Sequence, residues 1–207
     1  SPLAAPLKDL TGAPVIGCAG LALDTKGDVR LDAGFDKTYQ PDQVLAHGES
    51  ISGPGWTLGA VHTPGHTANH LCFALEETGA LFTGDHVMGW STSVIAPPDG
   101  DMADYMASLQ LLHDREDRVY YPAHGEQVDN PRQLVRGMIG HRRQRERQVL
   151  KQLEKGPQAI IDMVPQMYKG TNPVLYPAAG MSVKAHLLDL ARRGMVGQDG
   201  ELWLLAD

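Results

Sequence analysis

Three stretches each present a histidine directly behind a short apolar run: Thr63-Pro64-Gly65-His66-Thr67, Thr83-Gly84-Asp85-His86 and Pro122-Ala123-His124-Gly125. Loops at strand ends commonly display catalytic groups. A glycine beside a histidine lets the backbone come close to a bound ion or substrate. Imidazoles together with a carboxylate, here Asp85, form a zinc ligand set, and the chemistry of such a set is the activation of water by a metal. One loop histidine is ordinarily a surface residue; three in matching contexts point to a site. A competing arrangement is His62, His66 and His70, which are four apart and would share one face of a helix. Pro64-Gly65 interrupts that stretch and breaks a helix. Only His66 of the three is therefore retained, and His70 is expected to pack or hydrogen-bond at the start of the next strand.

The elements that must position these loops can be read from the same pattern. Trp56 to Val61, Leu71 to Leu75 and Ala80 to Thr83 read as short strands, and Arg118 to Pro122 as another that proline stops. Pro14 to Leu23 is apolar and leads into a turn at Asp24-Thr25-Lys26-Gly27-Asp28. Asp101 to Asp114 has helical periodicity through Met102, Tyr105, Met106, Leu109 and Leu112. A long helix is expected from Asn130-Pro131, with Asn as cap and Pro at the first position, ending near Gly156-Pro157. Behind it, helices over Pro157 to Lys169, Val174 to Ala179 and Ser182 to Arg193 precede a hairpin at Asp199-Gly200. That order is the one expected of a winged helix. The domain boundary is placed between residues 155 and 156.

The 207 residues suffice for a real core, and 42% hydrophobic with 21% charged residues is ordinary for a globular protein. Two cysteines, Cys18 and Cys72, exclude a disulfide framework and suggest a reducing, cytoplasmic location with both thiols buried. No apolar run is long enough to span a bilayer. The formal charge of −7 is uneven: net −12 over residues 1–131, +6 over 132–155 and −1 over 156–207. The acidic part argues against a general nucleic-acid surface there. The basic run lies on one helix, where Arg142 and Glu146 are spaced to pair and Arg143 and Arg147 should face solvent. His141, Arg142 and Arg145 turn towards the protein, either tying the helix to the domain or forming a basic wall for an anionic substrate. Trp90, in Gly89-Trp90-Ser91-Thr92, follows the Asp85-His86 loop and could line a substrate pocket. Trp56 and Trp203 read as packing residues.

The three histidine motifs, in this order and spacing, resemble the later motifs of the metallo-β-lactamase fold superfamily. Asp104-Tyr105-Met106-Ala107-Ser108-Leu109, His141-Arg142 with Arg145-Glu146, and the winged-helix tail narrow the likeness. They resemble the branch of lactamase-like hydrolases that includes a mitochondrial endoribonuclease. The resemblance implies an α/β fold, part of a four-layered αβ/βα sandwich, with a C-terminal winged helix. It also implies a two-zinc hydrolase: His66 on the first metal, Asp85 bridging both and hence catalytic, and His124 on the second. Water acidified by the two cations would attack an ester, thioester or phosphodiester. Trp90, Arg142 and Arg145 are the substrate-binding candidates.

One family motif, His-x-His-x-Asp-His, does not occur in this sequence. In the family, the segment behind that motif resembles Ser1-Pro2-Leu3-Ala4-Ala5-Pro6, so the chain is expected to begin just behind its metal motif and to hold zinc weakly, singly or not at all. Sheet edges and apolar faces left open would favour a homo-oligomer or a retained N-terminal fragment. The substrate is expected to be a small-molecule ester or thioester, with single-stranded RNA as the alternative enzyme reading. A non-catalytic binding or assembly role is the alternative outside enzymes. For the tail, a lid or a dimer contact is favoured over DNA binding.

Overall fold

The computed structural model describes residues 3–20 and 39–206; the turn expected at Asp24 to Asp28 lies outside them. Helix α1 (Ala4–Thr11) precedes β1 (Ile16–Gly17), which pairs in parallel with β2 (Gln43–Val44). Cys18 lies just past β1 and is half-buried rather than buried, whereas Cys72 is fully enclosed. The main sheet is built from β3 (Ser50–Gly53), β4 (Trp56–His62), β5 (Leu71–Leu75), β6 (Ala80–Gly84) and β7 (Val119–Pro122), in that spatial order. Neighbours are antiparallel up to β6, and β6 pairs with β7 in parallel. The parallel step follows from α2 (Met102–Asp114), which carries the chain back before β7, as a parallel pair requires.

This topology makes β4, β6 and β7 run in one direction. The loops that follow them, 63–70, 85–101 and 123–130, therefore leave the same end of the sheet. All three histidine motifs are brought to one edge by strand order alone.

Alternation along the strands turns Val61, Cys72, Leu81 and Tyr120 to one face. There they pack against Tyr105, Leu109 and Leu112 of α2 and Val135, Met138 and Ile139 of α3 (Pro131–Leu153). As expected for part of a four-layered sandwich, the described residues form one five-stranded sheet with a helical layer on it. Asn130 makes no side-chain cap, so α3 starts on the pre-set backbone of Pro131 alone.

The tail forms β8 (Gln158–Ala159), α4 (Ile160–Met167), a 3-10 turn at Pro173–Leu175, α5 (Tyr176–Arg192), β9 (Val196–Asp199) and β10 (Leu202–Leu205). The strands join as β8-β10-β9, and the Asp199-Gly200 hairpin forms where expected. Two expectations change. The helix expected from Pro157 opens with two strand residues, because Gln158 and Ala159 pair with Trp203 and Leu202. The two last helices are one, α5. Gly180 does not break it; a Cβ there would make ordinary contacts with Ile160 and Val164, at 3.6 and 3.8 Å.

The packing boundary differs from the chain boundary. The second core, around Met163, Leu187, Leu190 and Trp203, also takes Val149 and Leu153 from α3, while Ala185 of α5 belongs to the first. Arg192 pairs with Asp101 at 2.8 Å and Arg193 with Glu146 at 2.6 Å, fixing α5 to both α2 and α3. Glu146 thus takes its partner from α5 and not from Arg142. No helix among the described residues is long and apolar enough to cross a membrane.

Buried at this junction, His186 is 3% exposed and neither ring nitrogen has a hydrogen-bond partner. Burial first, then Arg142, His141, Arg193 and Arg145, push its pKa down to about 3. In the unfolded chain the ring protonates near 6.5. Below that pH unfolding takes up a proton that the native state refuses. The resulting stability is present above about 6.5 and is lost as pH falls towards about 3. Relative to wild type, His186→Leu should flatten the pH dependence of urea-unfolding free energy between pH 6.5 and 4. The expected change approaches one proton, roughly tenfold in the folding constant per pH unit.

Candidate metal centre

Two glycines set the approach of the site loops. Gly65 has φ +132°, and a Cβ there would stand 2.3 Å from the Cα of Tyr105, so the β4–β5 loop lies against the first turn of α2. The backbone N–H of Asp101 donates to the Gly65 carbonyl at 2.9 Å, and Ser108 Oγ donates to the Pro64 carbonyl at 2.8 Å. Gly84 has φ +52°, and a Cβ would meet His70 Nε2 at 2.6 Å. His70 itself bonds through Nδ1 to Thr63 Oγ1 at 2.8 Å, the packing role expected of it. Burial first, then His66 and His62, push its pKa down to about 4.

Asp85 and His124 come together: Nε2 of His124 stands 3.3 Å from Oδ1 of Asp85. That oxygen is inaccessible and has no hydrogen-bond partner, although the carboxylate as a whole is 40% exposed. A close nitrogen that does not align as a hydrogen bond, facing an oxygen without a hydrogen-bond partner, is a relation that two ligands of one cation can have and that a loose ion pair can have too. An unpaired buried carboxylate oxygen is otherwise costly. These two residues fit a metal.

His66 is prepared for the same task. Its Nδ1 bonds the Val94 carbonyl at 2.8 Å. A carbonyl only accepts, so the proton sits on Nδ1 and the lone pair on Nε2, the state in which an imidazole ligates. Residues 93–95 are clamped from both sides. Arg142 donates to the Ser93 carbonyl, and the Ile95 N–H donates to Ser182 Oγ of α5 at 3.4 Å. Among the described residues no three His, Cys, Asp or Glu side chains converge as a metal-holding group. The structure joins Asp85 to His124 and holds His66 in its own loop.

His86, beside Asp85, is not displayed in the loop. It is fully buried, 4.7 Å ring to ring from Tyr105 and 5.8 Å from His70. Burial, with His70, His66 and Arg142, holds its pKa well below the ordinary imidazole value.

Two substrate-binding expectations are corrected. Arg142 is 3% exposed, lies 5.0 Å over the Tyr105 ring and bonds Ser93, so it ties α3 to the loop that orients His66. Arg145 sits 4.0 Å over the Tyr168 ring and donates to the Met167 carbonyl at 3.0 Å, tying α3 to α4. Both guanidinium groups are used internally and neither forms a basic wall. Arg143 and Arg147 face solvent. Trp90 is 75% exposed, lines a groove along α3 and lies against Gly125, the residue after His124. The Val94 carbonyl went unseen in the sequence, since no residue pattern announces a backbone acceptor.

Residues 3–124 match the family described as Metallo-beta-lactamase superfamily. The chain belongs to the metallo-β-lactamase superfamily. Residues 160–203 match the beta-lactamase associated winged helix domain, which agrees with the α4–α5–hairpin order. The chain is 36% identical over 153 residues to "Beta-lactamase-like protein 2 homolog" of Drosophila melanogaster, covering 72% of this chain and 51% of that protein. It is 40% identical over 119 residues to "Atrochrysone carboxyl ACP thioesterase" of Aspergillus fumigatus, covering 56% and 36%. Among solved structures, a metallo-beta-lactamase family protein of Thermus thermophilus superposes with TM-score 0.71 at 26% identity, covering 80% of this chain and 55% of that one. A beta-lactamase domain protein of Burkholderia ambifaria shares the fold with TM-score 0.70 at 22% identity, covering 79% and 51%. This chain spans about half, or less, of the length of the curated relatives it matches.

Proposed function

We propose that this chain supplies Asp85, His124 and His66 to the zinc centre of a hydrolase acting on an ester or thioester. The observation that carries the reading is the orphaned Asp85 Oδ1 held 3.3 Å from His124 Nε2. Zinc bound there would act as a Lewis acid and lower the pKa of water at the site. The chain's own residues do the rest. Val94 fixes the proton of His66 on Nδ1, Arg142 and Ser182 fix Val94 by holding its neighbours, and Gly65 and Gly84 admit the loops to the sheet end. The thioesterase name of a relative 40% identical over 119 residues supports the thioester class.

The ribonuclease alternative loses four of its cations, because Arg142 and Arg145 are spent on packing and Arg192 and Arg193 are paired with Asp101 and Glu146; Arg143 and Arg147 stay solvent-facing on α3. A phosphodiester chain is bound chiefly by free cations. The test compares the zinc-supplemented chain with a chimera carrying a His-x-His-x-Asp-His segment ahead of Ser1. Short acyl thioesters and single-stranded RNA serve as substrates. Zinc-dependent thioester cleavage by the chimera, abolished by Asp85→Asn, is expected. RNA cleavage without thioester cleavage would reverse the reading, and no turnover of either by a zinc-loaded chimera would favour the non-catalytic role.

A further inference from the structure

An open groove of about 710 Å³ runs from the site loops along the first half of α3. Its walls include Met88 and Trp90 on one side and Leu134 and Met138 on the other. It lies beside the candidate centre without including its ligands: Gly89, which lines the groove, donates its N–H to the His124 carbonyl at 2.9 Å. Trp90, 75% exposed, is an apolar surface waiting for a cover.

The groove's charge is as informative as its walls. Neither Lys nor Arg lines it, and Asp129 is its one carboxylate. An anionic chain finds no counter-charge here, whereas an uncharged hydrocarbon loses water against Trp90 and the half-buried Leu134.

Gly137 supplies an independent observation. It lies inside α3, where glycine destabilises a helix relative to alanine. Packing does not demand it, since a Cβ at this position would meet nothing within 4 Å. It lines the groove, so the missing side chain keeps that space open.

We infer that the groove seats the uncharged, apolar acyl group of an ester or thioester, laid between Trp90 and α3 over Gly137. This rests on the hydrolase reading above and adds the acyl selectivity of that site.

The test uses the metal-free chain and uncleavable S-alkyl pantetheine thioethers with alkyl groups of two to ten carbons, titrated by calorimetry beside a single-stranded RNA decamer. Affinity should rise about two- to fourfold per added methylene. Gly137→Leu should remove that dependence with an unchanged or higher urea midpoint. Trp90→Ala should weaken the decyl probe roughly tenfold and leave the ethyl probe nearly unaffected. Equal affinity for ethyl and decyl probes, decyl binding unchanged in both variants, or displacement of the decyl probe by RNA would overturn the inference. The probes are neither cleaved nor metal-dependent. A failure here is thus told apart from a failure of thioester hydrolysis, which the chimera assay reads.

Discussion

Replacing Asp85 by Asn, or His124 by Ala, should weaken zinc binding at least about 100-fold and leave the thermal midpoint nearly unchanged. Asn keeps the shape of Asp and removes the charge that attracts a cation. His124 has a side chain 61% exposed, so truncating it costs little packing. The pair in isolation is a partly exposed ion pair, a type that contributes little to stability. Chelator-competition calorimetry and a thermal scan on the same samples read both quantities. If the pair were merely an ion pair holding β6 to β7, the pattern would invert. Both substitutions would then lower the midpoint, and zinc binding would not respond.

Gly65→Ala should destabilise the fold by roughly 3 kcal/mol or more, through strain and overlap acting together. At φ +132° an L side chain is strained, and the new Cβ would stand 2.3 Å from Tyr105 Cα and 2.4 Å from its N. Those are helix-backbone atoms of α2, and Tyr105 is fully buried in the first core, so no side chain can swing away. The loop must shift, taking His66 and the Asp101 N–H bond with it. For a chain of this size the midpoint should fall by roughly 6–12 °C. Gly137→Ala is the counterpart of opposite sign. Its Cβ meets nothing within 4 Å in a helix interior, so a gain of about 0.5–1 kcal/mol is expected. A midpoint for Gly65→Ala within a degree or two of wild type would contradict the close approach.

The strands and their edge loops were legible in the sequence because a half-buried strand writes its alternation directly, as Val61, Cys72, Leu81 and Tyr120 do. The motif glycines were legible as places of close approach, but not what they approach, since Tyr105 and His70 lie elsewhere in the chain. The split assigned near Gly180 failed because a single glycine costs a helix only about 1 kcal/mol, which the packing of Ala179, Val183, Leu187 and Leu190 on either side outweighs. Helical spacing turned Arg142 and Arg145 towards the protein but left open whether they tie the helix down or form a basic wall. The choice depends on Tyr105 and Tyr168 of other elements, over which the two guanidinium groups sit and which a single helix does not encode. The clamp on residues 93–95 was invisible because its key acceptors are the Ser93 and Val94 carbonyls.

The most direct measurement of the central claim is zinc K-edge absorption of the chain loaded with one equivalent of zinc. A first shell of imidazole nitrogen and carboxylate oxygen at about 2.0–2.2 Å is predicted, with no sulfur. It should revert to a hydrated-ion spectrum when Asp85 and His124 are both replaced. Thiolate sulfur at about 2.3 Å, or an unchanged spectrum in the double variant, would contradict it.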